Sequence, residues 1–506
     1  MSLDSTFYSA EQVREWDSRL IEHRDLSAYQ LMCEAGEALF AEFTQRYAAR
    51  KAPCVLAGGG NNAGDGYVFA RLAKQQGMDV TVRYLKSPEH LMEAAADAWE
   101  AARDAGVDIA PFEQGLPAGT DCVIDAMFGT GLDREVEGEW RAAIEATNAA
   151  GLPVAAADIP SGLHADTGRV LGAAIAADLT VTFVARKAGM HTGRGPDVCG
   201  EIVFHDLGTK DFDPADRPAL CDVLERRHLP GLLPRRRQAG HKGEFGHLLV
   251  IAGQAGMPGA ARLAAEGAMR SGVGKVSVRC HADSVLAVQA ARPELMVDAL
   301  ENGVPAGITA CVAGPGLGAD IWGTEAFEQA LALALPMVID ADGLRLLARK
   351  PALAQHLHAD TVLTPHPGEA AALLETDVAH IENDRLTAAR ELAERFGCHI
   401  VLKGAGSLVA SPGGKLSLCA AGSVALATAG SGDVLAGIIA AFLAHEEASH
   451  SGFGDDGKLA RRAAQAGVLL HALAGERIAL DGPRGAIASD IVRALRLVLK
   501  AADQHE

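Results

Sequence analysis

Short apolar runs that end in glycine or aspartate clusters, each followed by an alanine-rich helical stretch, constrain this chain more than any other feature. PCVLAGGG (53–60), DVTVRYL (79–85), DCVIDAMFG (121–129) and LPVAAADIP (152–160) set the rhythm in the first part. It restarts with HLLVIAG (247–253), GKVSVRC (274–280), ACVAGPG (310–316), PMVIDAD (336–342), DTVLTPHPGE (360–369) and CHIVLKGAG (398–406). Strands alternating with helices predict a parallel sheet flanked by helices, so each part reads as an α/β domain. Two helices precede the first strand: Ser9 and Gln12 have capping-box spacing before Val13, Trp16, Leu20 and Ile21, and a second helix is predicted over 27–49.

Between the two series, DFDPADRPALCDVLERRHLPGLLPRRRQAGHKG (211–243) is rich in proline and charge and lacks sustained periodicity. The expected organisation is therefore a domain over 1–215, a linker over 216–236 and a domain over 237–506. A chain of 506 residues with 49% hydrophobic content has the apolar surface for more than one core. Its formal charge of −19 argues against non-specific nucleic-acid binding, while leaving room for a local basic pocket. Nine scattered cysteines, with no pair at zinc or redox spacing, read as reduced and mostly buried thiols. The first residues lack a basic start with an apolar stretch, and no run is long enough to span a bilayer, so a cytoplasmic protein without a membrane partner is expected.

Ligands of open parallel sheets bind beyond the carboxyl ends of the strands, where the polar clusters of this chain fall. GGGNNAGDGYVFARLA (58–73) follows a strand and opens a helix, so its amides can face a phosphate; Asn61, Asn62 and Asp65 add oxygen and amide groups that suit a hydroxylated ligand or a hard cation. Asn62, Asp125 in VIDAMFGTGL and Ser161 in ADIPSGLHADTG stand at three strand ends, where they could hold a monovalent cation. Asp158 is a candidate base. Each of these residues, taken singly, also fits a turn or a helix cap.

In the second part TAGSGDVLAG (428–437) places Gly430, Gly432 and Asp433 at the head of an apolar helical segment. Glycines permit close approach, a helix start offers unpaired N–H groups to phosphate oxygens, and a carboxylate there can take the proton of an attacking hydroxyl. An ordinary glycine turn with a capping aspartate is the competing reading. Glu369, three residues after His366, could orient water on a magnesium ion. His366 either contacts substrate or caps a turn. Lys403 either attracts nucleotide phosphates or is a solvated rim charge. Asp340 and Asp342 support either a magnesium ion or only their loop.

NNAGDG, VIDAMFGTGL, DIPSGLHADTG and DLTVTF with Lys187 together resemble the epimerase domain of NAD(P)HX repair proteins. That resemblance implies a Rossmann-like three-layer α/β/α fold. It also implies potassium at Asn62, Asp125 and Ser161, and hydrated dinucleotide along Asn61, Asn62, Ala63, Gly64 and Asp65. The dinucleotide would run on along Gly129, Thr130, Gly131, Leu132, Asp133, Arg134 and Glu135, with Asp158 as catalytic carboxylate. Ala63 stands where many relatives have glycine, a change that matters only if the position needs a positive φ.

The order HKGEFGHLLVIAG, AGPGLG, DADGL, TPHPGE, LKGAGS and TAGSGD resembles ribokinase-like kinases, and TPHPGE with VLKGAG and ATAGSGDVLAG resembles ADP-dependent NAD(P)HX dehydratases. The latter implies an adenine nucleotide along Lys403, Gly404, Ala405, Gly406 and Ser407 and at Gly432. Hydrated dinucleotide would lie near Ala260, Gly316, His366 and Asp433, the last as base, with magnesium and ADP taking part. A bifunctional enzyme acting on NADHX and NADPHX is then expected, and the resemblance also implies assembly as a homo-oligomer. A vitamin or sugar kinase carrying a ligand-binding or scaffold module at its N-terminus is the alternative.

Overall fold

The computed structural model describes residues 6–211, 219–234, 236–290, 292–445 and 458–504. The chain divides into two compact units, Met1–Asp222 and Val223–Glu506. Of the expected linker, residues 216–218 and 235 lie outside the described residues.

In the first unit the short strand β1 (Thr6–Phe7) pairs antiparallel with Cys221 and Asp222. Helices α1 (Ala10–Arg24) and α2 (Ala28–Arg46) follow, headed by Ser9 and Ser27. Both serines form the capping box that Ser9 and Gln12 predict: Ser9 Oγ accepts from Gln12 N at 3.2 Å, and Gln12 Oε1 from Ser9 N at 2.9 Å. The remaining strands are β2 (Pro53–Ala57), β3 (Thr81–Tyr84), β4 (Asp108–Pro111), β5 (Cys122–Ala126), β6 (Val154–Ala157), β7 (Leu179–Phe183) and β8 (Glu201–His205). They form a seven-stranded sheet in the order β4-β3-β2-β5-β6-β7-β8, parallel throughout.

Alternate residues of these strands face opposite layers. Val55, Ala57, Ile124 and Ala126 pack with α1, α2, α3 (Asn61–Gln75) and α4 (Glu93–Asp104), whereas Cys54, Leu56 and Val123 pack with Ala143 and Ile144 of α5 (Gly138–Ala149). Burial on both faces explains why β2 and β5 read as unbroken apolar runs. The order reverses at β2 and β5, and ligands of such sheets collect at this switch point.

The second unit contains β9 (Cys221–Leu224), which straddles the division, then β10 (His247–Ile251), β11 (Lys275–Cys280), β12 (Met296–Ala299), β13 (Ala310–Ala313), β14 (Met337–Ile339) and β15 (Thr361–Leu363). β16 (His399–Leu402), β17 (Leu408–Ala410) and β18 (Leu416–Cys419) complete it. The sheet runs β18-β17-β16-β15-β14-β13-β10-β11-β12. From β15 to β12 every pairing is parallel. Beyond β16 the sheet departs from the expected parallel pattern, because β16, β17 and β18 form an antiparallel meander with tight connections. Helices Pro258–Arg270, Ser431–Ala444, Lys458–Ala479 and Ala488–Asp503 cover one face.

The described part of the expected linker is ordered structure. It carries β9 and a one-turn helix, Leu229–Leu232, whose Leu229 is buried in the second unit's core. All nine cysteines are free and eight are buried. Among the described residues no helix is long and apolar enough to cross a membrane.

Candidate active sites

At the switch point of the first sheet lies a cavity of about 570 Å³. Its walls come from α1 (Val13, Arg14, Asp17, Ile21), the start of α3 (Asn61, Asn62, Asp65), the loop after β5 (Gly129 to Arg134) and the ends of β6 and β7 (Asp158, Phe183). Most of the residues expected here from sequence are therefore brought together; Glu135 instead pairs with Arg169 at 3.2 Å. Ala63 is buried on α3 outside the positive-φ region, so no backbone strain attaches to its methyl group.

Asp125, Ser161 and Asn62 form one connected set. Ser161 donates from Oγ to Asp125 Oδ1 at 2.6 Å and from N to Asp125 Oδ2 at 2.7 Å. Phe128 N donates to Ser161 Oγ at 2.9 Å, while Asn62 Nδ2 donates to Phe128 O at 2.9 Å. Asn62 Oδ1 is buried with no hydrogen-bond partner among the described residues. Asp125 is fully buried with no paired cation among the described residues, and burial pushes it up to about 6 despite the bonds from Ser161 and Met127. An orphaned acceptor beside an uncompensated carboxylate is the donor set a monovalent cation would complete.

Asp158 adopts φ +64, an αL conformation uncommon outside glycine. Its Oδ1 accepts from Lys187 Nζ, from Thr182 Oγ1 at 3.3 Å and from Phe183 N at 3.2 Å. Lys187 is fully buried, and its ammonium also donates to Thr182 Oγ1 at 2.8 Å and Phe183 O at 2.9 Å. The Asp158–Lys187 pair is thus held by groups that leave its carboxylate facing the cavity.

The second site lies at the carboxyl ends of β10, β13, β14, β15 and β16. Ala260 and Gly316 meet there: a Cβ on Gly316 would stand 3.0 Å from that of Ala260. Lys403, just after β16, reaches Asp340 Oδ1 at 2.7 Å, and Thr364 Oγ1 donates to the same oxygen at 2.8 Å. Glu369 Oε2 lies 3.7 Å from Lys403 Nζ. Burial works against the lysine charge, but Asp340, Glu369 and Asp433 outweigh it and hold Lys403 above its ordinary range. Lys403 is thus largely shielded from solvent, its side chain 17% exposed, and paired with Asp340.

Helix Ser431–Ala444 starts at TAGSGD, with Gly430 as N-cap at φ +84. Gly430 supplies the backbone angle and Gly432 the close approach: a Cβ on Gly432 would stand 3.3 Å from Lys403 Nζ and 3.7 Å from Asp340 Oδ2. Asp433 lies in the first turn, where burial and then Asp340 push it up to about 7 while Lys403 pulls the other way. A half-buried carboxyl group titrating near neutrality beside a helix start is suited to general-base work.

The TPHPGE residues have structural employment. His366 caps helix Pro367–Leu374, its Nδ1 accepting from Gly368 N at 3.0 Å and Glu369 N at 3.2 Å, and Glu369 Oε2 accepts from His366 N at 2.9 Å. The capping reading of His366 thus holds, while nearly half of its side chain stays exposed. Among the described residues no group of three His, Cys, Asp or Glu is arranged to hold a metal directly. A magnesium ion here would be held through water and phosphate oxygens and not by a cluster of carboxylates, since Lys403 already occupies Asp340 Oδ1. The segment Lys403–Ser407 is the connection between β16 and β17, with Gly404 at φ +142 and Gly406 at φ +65. Buried Arg385 donates to Lys403 O at 3.1 Å beneath it. Sequence reasoning missed Arg385 and, in the first site, Asp17; both sit on helices whose polar positions carry no motif.

Two α/β units, each with a polar carboxylate-bearing centre at its strand ends, define an enzyme with two separate sites. Residues 28–189 match the family model of the YjeF-related protein N-terminus, and residues 248–496 match that of NAD(P)H-hydrate dehydratase. The bifunctional NAD(P)H-hydrate repair enzyme Nnr of Coxiella burnetii is 40% identical over 504 residues, covering 98% of this chain and 99% of that protein. Its Escherichia coli counterpart is 38% identical over 505 residues, with coverages of 99% and 95%. Among solved structures, an ADP/ATP-dependent NAD(P)H-hydrate dehydratase from Bacillus subtilis, co-crystallised with ATP and Mg2+, is 29% identical. It matches with a TM-score of 0.48 and covers 55% of this chain and 98% of that one. The chain belongs to the family of bifunctional NAD(P)H-hydrate repair enzymes.

Proposed function

We propose that the first domain, residues 1–215, interconverts the R and S forms of hydrated NADH and NADPH. The second, residues 237–506, dehydrates the S form at the expense of ADP, giving NAD(P)H, AMP and phosphate. The observation that carries this reading is the pairing of Asp433, pushed up to about 7 at a helix start, with the Lys403–Asp340 pair beside Gly432.

The substrate carries a hydroxyl on C6 of its nicotinamide ring, and hydroxide leaves poorly. Asp433 takes the hydroxyl proton as the oxygen attacks the terminal phosphorus of ADP, and AMP leaves. The ring nitrogen then expels phosphate from C6, C5 loses a proton and the C5–C6 double bond forms. Lys403 and the N–H groups at the start of helix Ser431–Ala444 stabilise the charge that gathers on the phosphoryl oxygens. Lys403 to Ser407 would cradle the nucleotide, and Ala260, Gly316 and His366 would contact the dinucleotide. Magnesium, held through water by Glu369, would neutralise phosphate charge.

In the first site Asp158 is the base, and the loops Asn61–Asp65 and Gly129–Glu135 would hold the dinucleotide. Potassium at Asn62, Asp125 and Ser161 would fix the loops after β2, β5 and β6 around it; the orphaned Asn62 Oδ1 supports this placement. The protein would work in the cytoplasm as a homo-oligomer. The test is recovery of reduced-nicotinamide absorbance from mixed hydrated NADH epimers supplied with ADP, magnesium and potassium. Complete recovery is expected. A stable phosphorylated product in its place would make the second domain a kinase of another kind.

A further inference from the structure

Arg14, Asp17 and Ile21 lie three and four residues apart on α1, and this spacing places them on one stripe facing the first site's cavity. The neighbouring stripe, Val13, Trp16 and Leu20, is buried in the core and fixes the rotation of the helix. Three carboxyl groups thus meet in one chamber: Asp17 from α1, Asp65 from α3 and Asp158 from the end of β6. Their partners differ. Lys187 spends its three donors on Asp158, Thr182 and Phe183 O, and Asp158 gains further bonds from Thr182 and Phe183 N. The carboxyl groups of Asp17 and Asp65 accept no hydrogen bond among the described residues. Two carboxyl groups without such bonds, beside a carboxylate held through one oxygen, are the setting in which one group acts as base and another as acid.

We propose that Asp17 is a second catalytic residue of the first site, the general acid that protonates ring nitrogen N1 while Asp158 withdraws the C6 hydroxyl proton. This rests on the epimerase reading of that site. As the hydroxyl proton passes to Asp158, the C–O bond becomes a carbonyl and the C6–N1 bond breaks. Its electron pair goes to N1, which takes the Asp17 proton. The opened ring carries an aldehyde at C6. Rotation about C5–C6 presents the other carbonyl face; N1 then attacks it, returns its proton to Asp17, and the oxygen recovers one from Asp158. No atom or electron is gained or lost.

The electrostatics agree with this division. Burial, then Asp158, push Asp17 up to about 7, with Lys187 and Arg14 pulling the other way. Asp65 is pushed well above its ordinary value by burial, with Asp158 and Asp17 adding to the shift and Lys187 pulling the other way. Asp17, on the stripe of α1 that faces the cavity, sits near neutrality, where a carboxyl group can give a proton and take it back. Lys86, Glu93, Asp133 and Arg134 complete the charged lining.

The experiment uses the full chain with ADP omitted, so that only epimer exchange proceeds, followed by chromatography of the R and S forms. Wild type should exchange them, with kcat/KM falling as pH rises through about 7 as Asp17 loses its proton. Asp17→Asn should slow exchange by about 100-fold or more, lose that falling limb, and still bind hydrated NADH. ADP-dependent dehydration of purified S form by the same variant should be unchanged, which reports an intact chain. Asp17→Glu should restore part of the rate with the limb displaced; it carries the test if the asparagine variant does not fold. A falling limb retained in Asp17→Asn or unmoved in Asp17→Glu, wild-type exchange in Asp17→Asn, or loss of its binding would overturn the proposal. Failure of wild type to exchange would instead remove the epimerase reading.

Discussion

Lys403 Nζ lies 2.7 Å from Asp340 Oδ1, and a Cβ on Gly432 would come within 3.3 Å of the same ammonium. The ion pair and the helix start are therefore one construction, in which a missing side chain lets a cation stand beside the first-turn N–H groups.

Gly432→Ala tests that construction. The added methyl meets the end of a flexible side chain and the backbone is helical, so folding should be preserved. Displacing Lys403 should raise the KM for ADP by about tenfold, equivalent to about 1.4 kcal/mol. An unchanged KM would separate the ion pair from nucleotide binding.

Asp433→Asn should lower dehydration by about 10²- to 10⁴-fold while epimer exchange continues. In wild type the base must be ionised to act. Because burial and Asp340 raise Asp433 to about 7, kcat/KM for dehydration should rise with pH and level off above that value. A profile flat from pH 5 to 9 would assign the proton acceptor elsewhere.

Asp158→Asn should leave dehydration of the S form intact and confine rapid recovery to the S share of an epimer mixture. The remainder would follow only as fast as spontaneous exchange. Biphasic absorbance recovery is the expected signature, and a single fast phase would exclude Asp158 as the base.

Potassium should raise the unfolding temperature of wild type, since a ligand at a hundredfold excess over its Kd stabilises the folded state by about 2.7 kcal/mol. Asn62→Leu removes the orphaned Oδ1 acceptor and should abolish that response. Equal potassium stabilisation in both proteins would place the ion at another site.

Gly404→Ala should destabilise the protein by about 2 kcal/mol, because φ +142 is a region that side chains avoid. A Cβ there would also stand 2.7 Å from Nη2 of buried Arg385. Chemical denaturation provides the measure, and epimer exchange should be unaffected.

The central strands were legible because both of their faces are covered. Val55 and Ala57 pack one way and Cys54 and Leu56 the other, so β2 reads as an unbroken apolar run. Edge strands gave no such signal: β4 is Asp-Ile-Ala-Pro, with its first and last residues exposed. β9 was hidden because Cys221 and Leu224 sit among charges and prolines, and only tertiary pairing makes them a strand. Glycine motifs pointed to both candidate sites, yet Asp17 carried no motif and became visible only when α1 turned it toward the cavity. His366 and Glu369 show the converse, a motif whose residues close a helix cap.

β16 and β17 pair Leu402 with Leu408, so Lys403–Ser407 forms the whole connection of an antiparallel hairpin. Its length is tied to strand register: one inserted residue would either bulge the loop or slide Leu408, Val409 and Ala410 to the wrong face of the sheet. Side chains along this connection can therefore be exchanged without moving the strands, whereas its length is coupled to the register of the sheet.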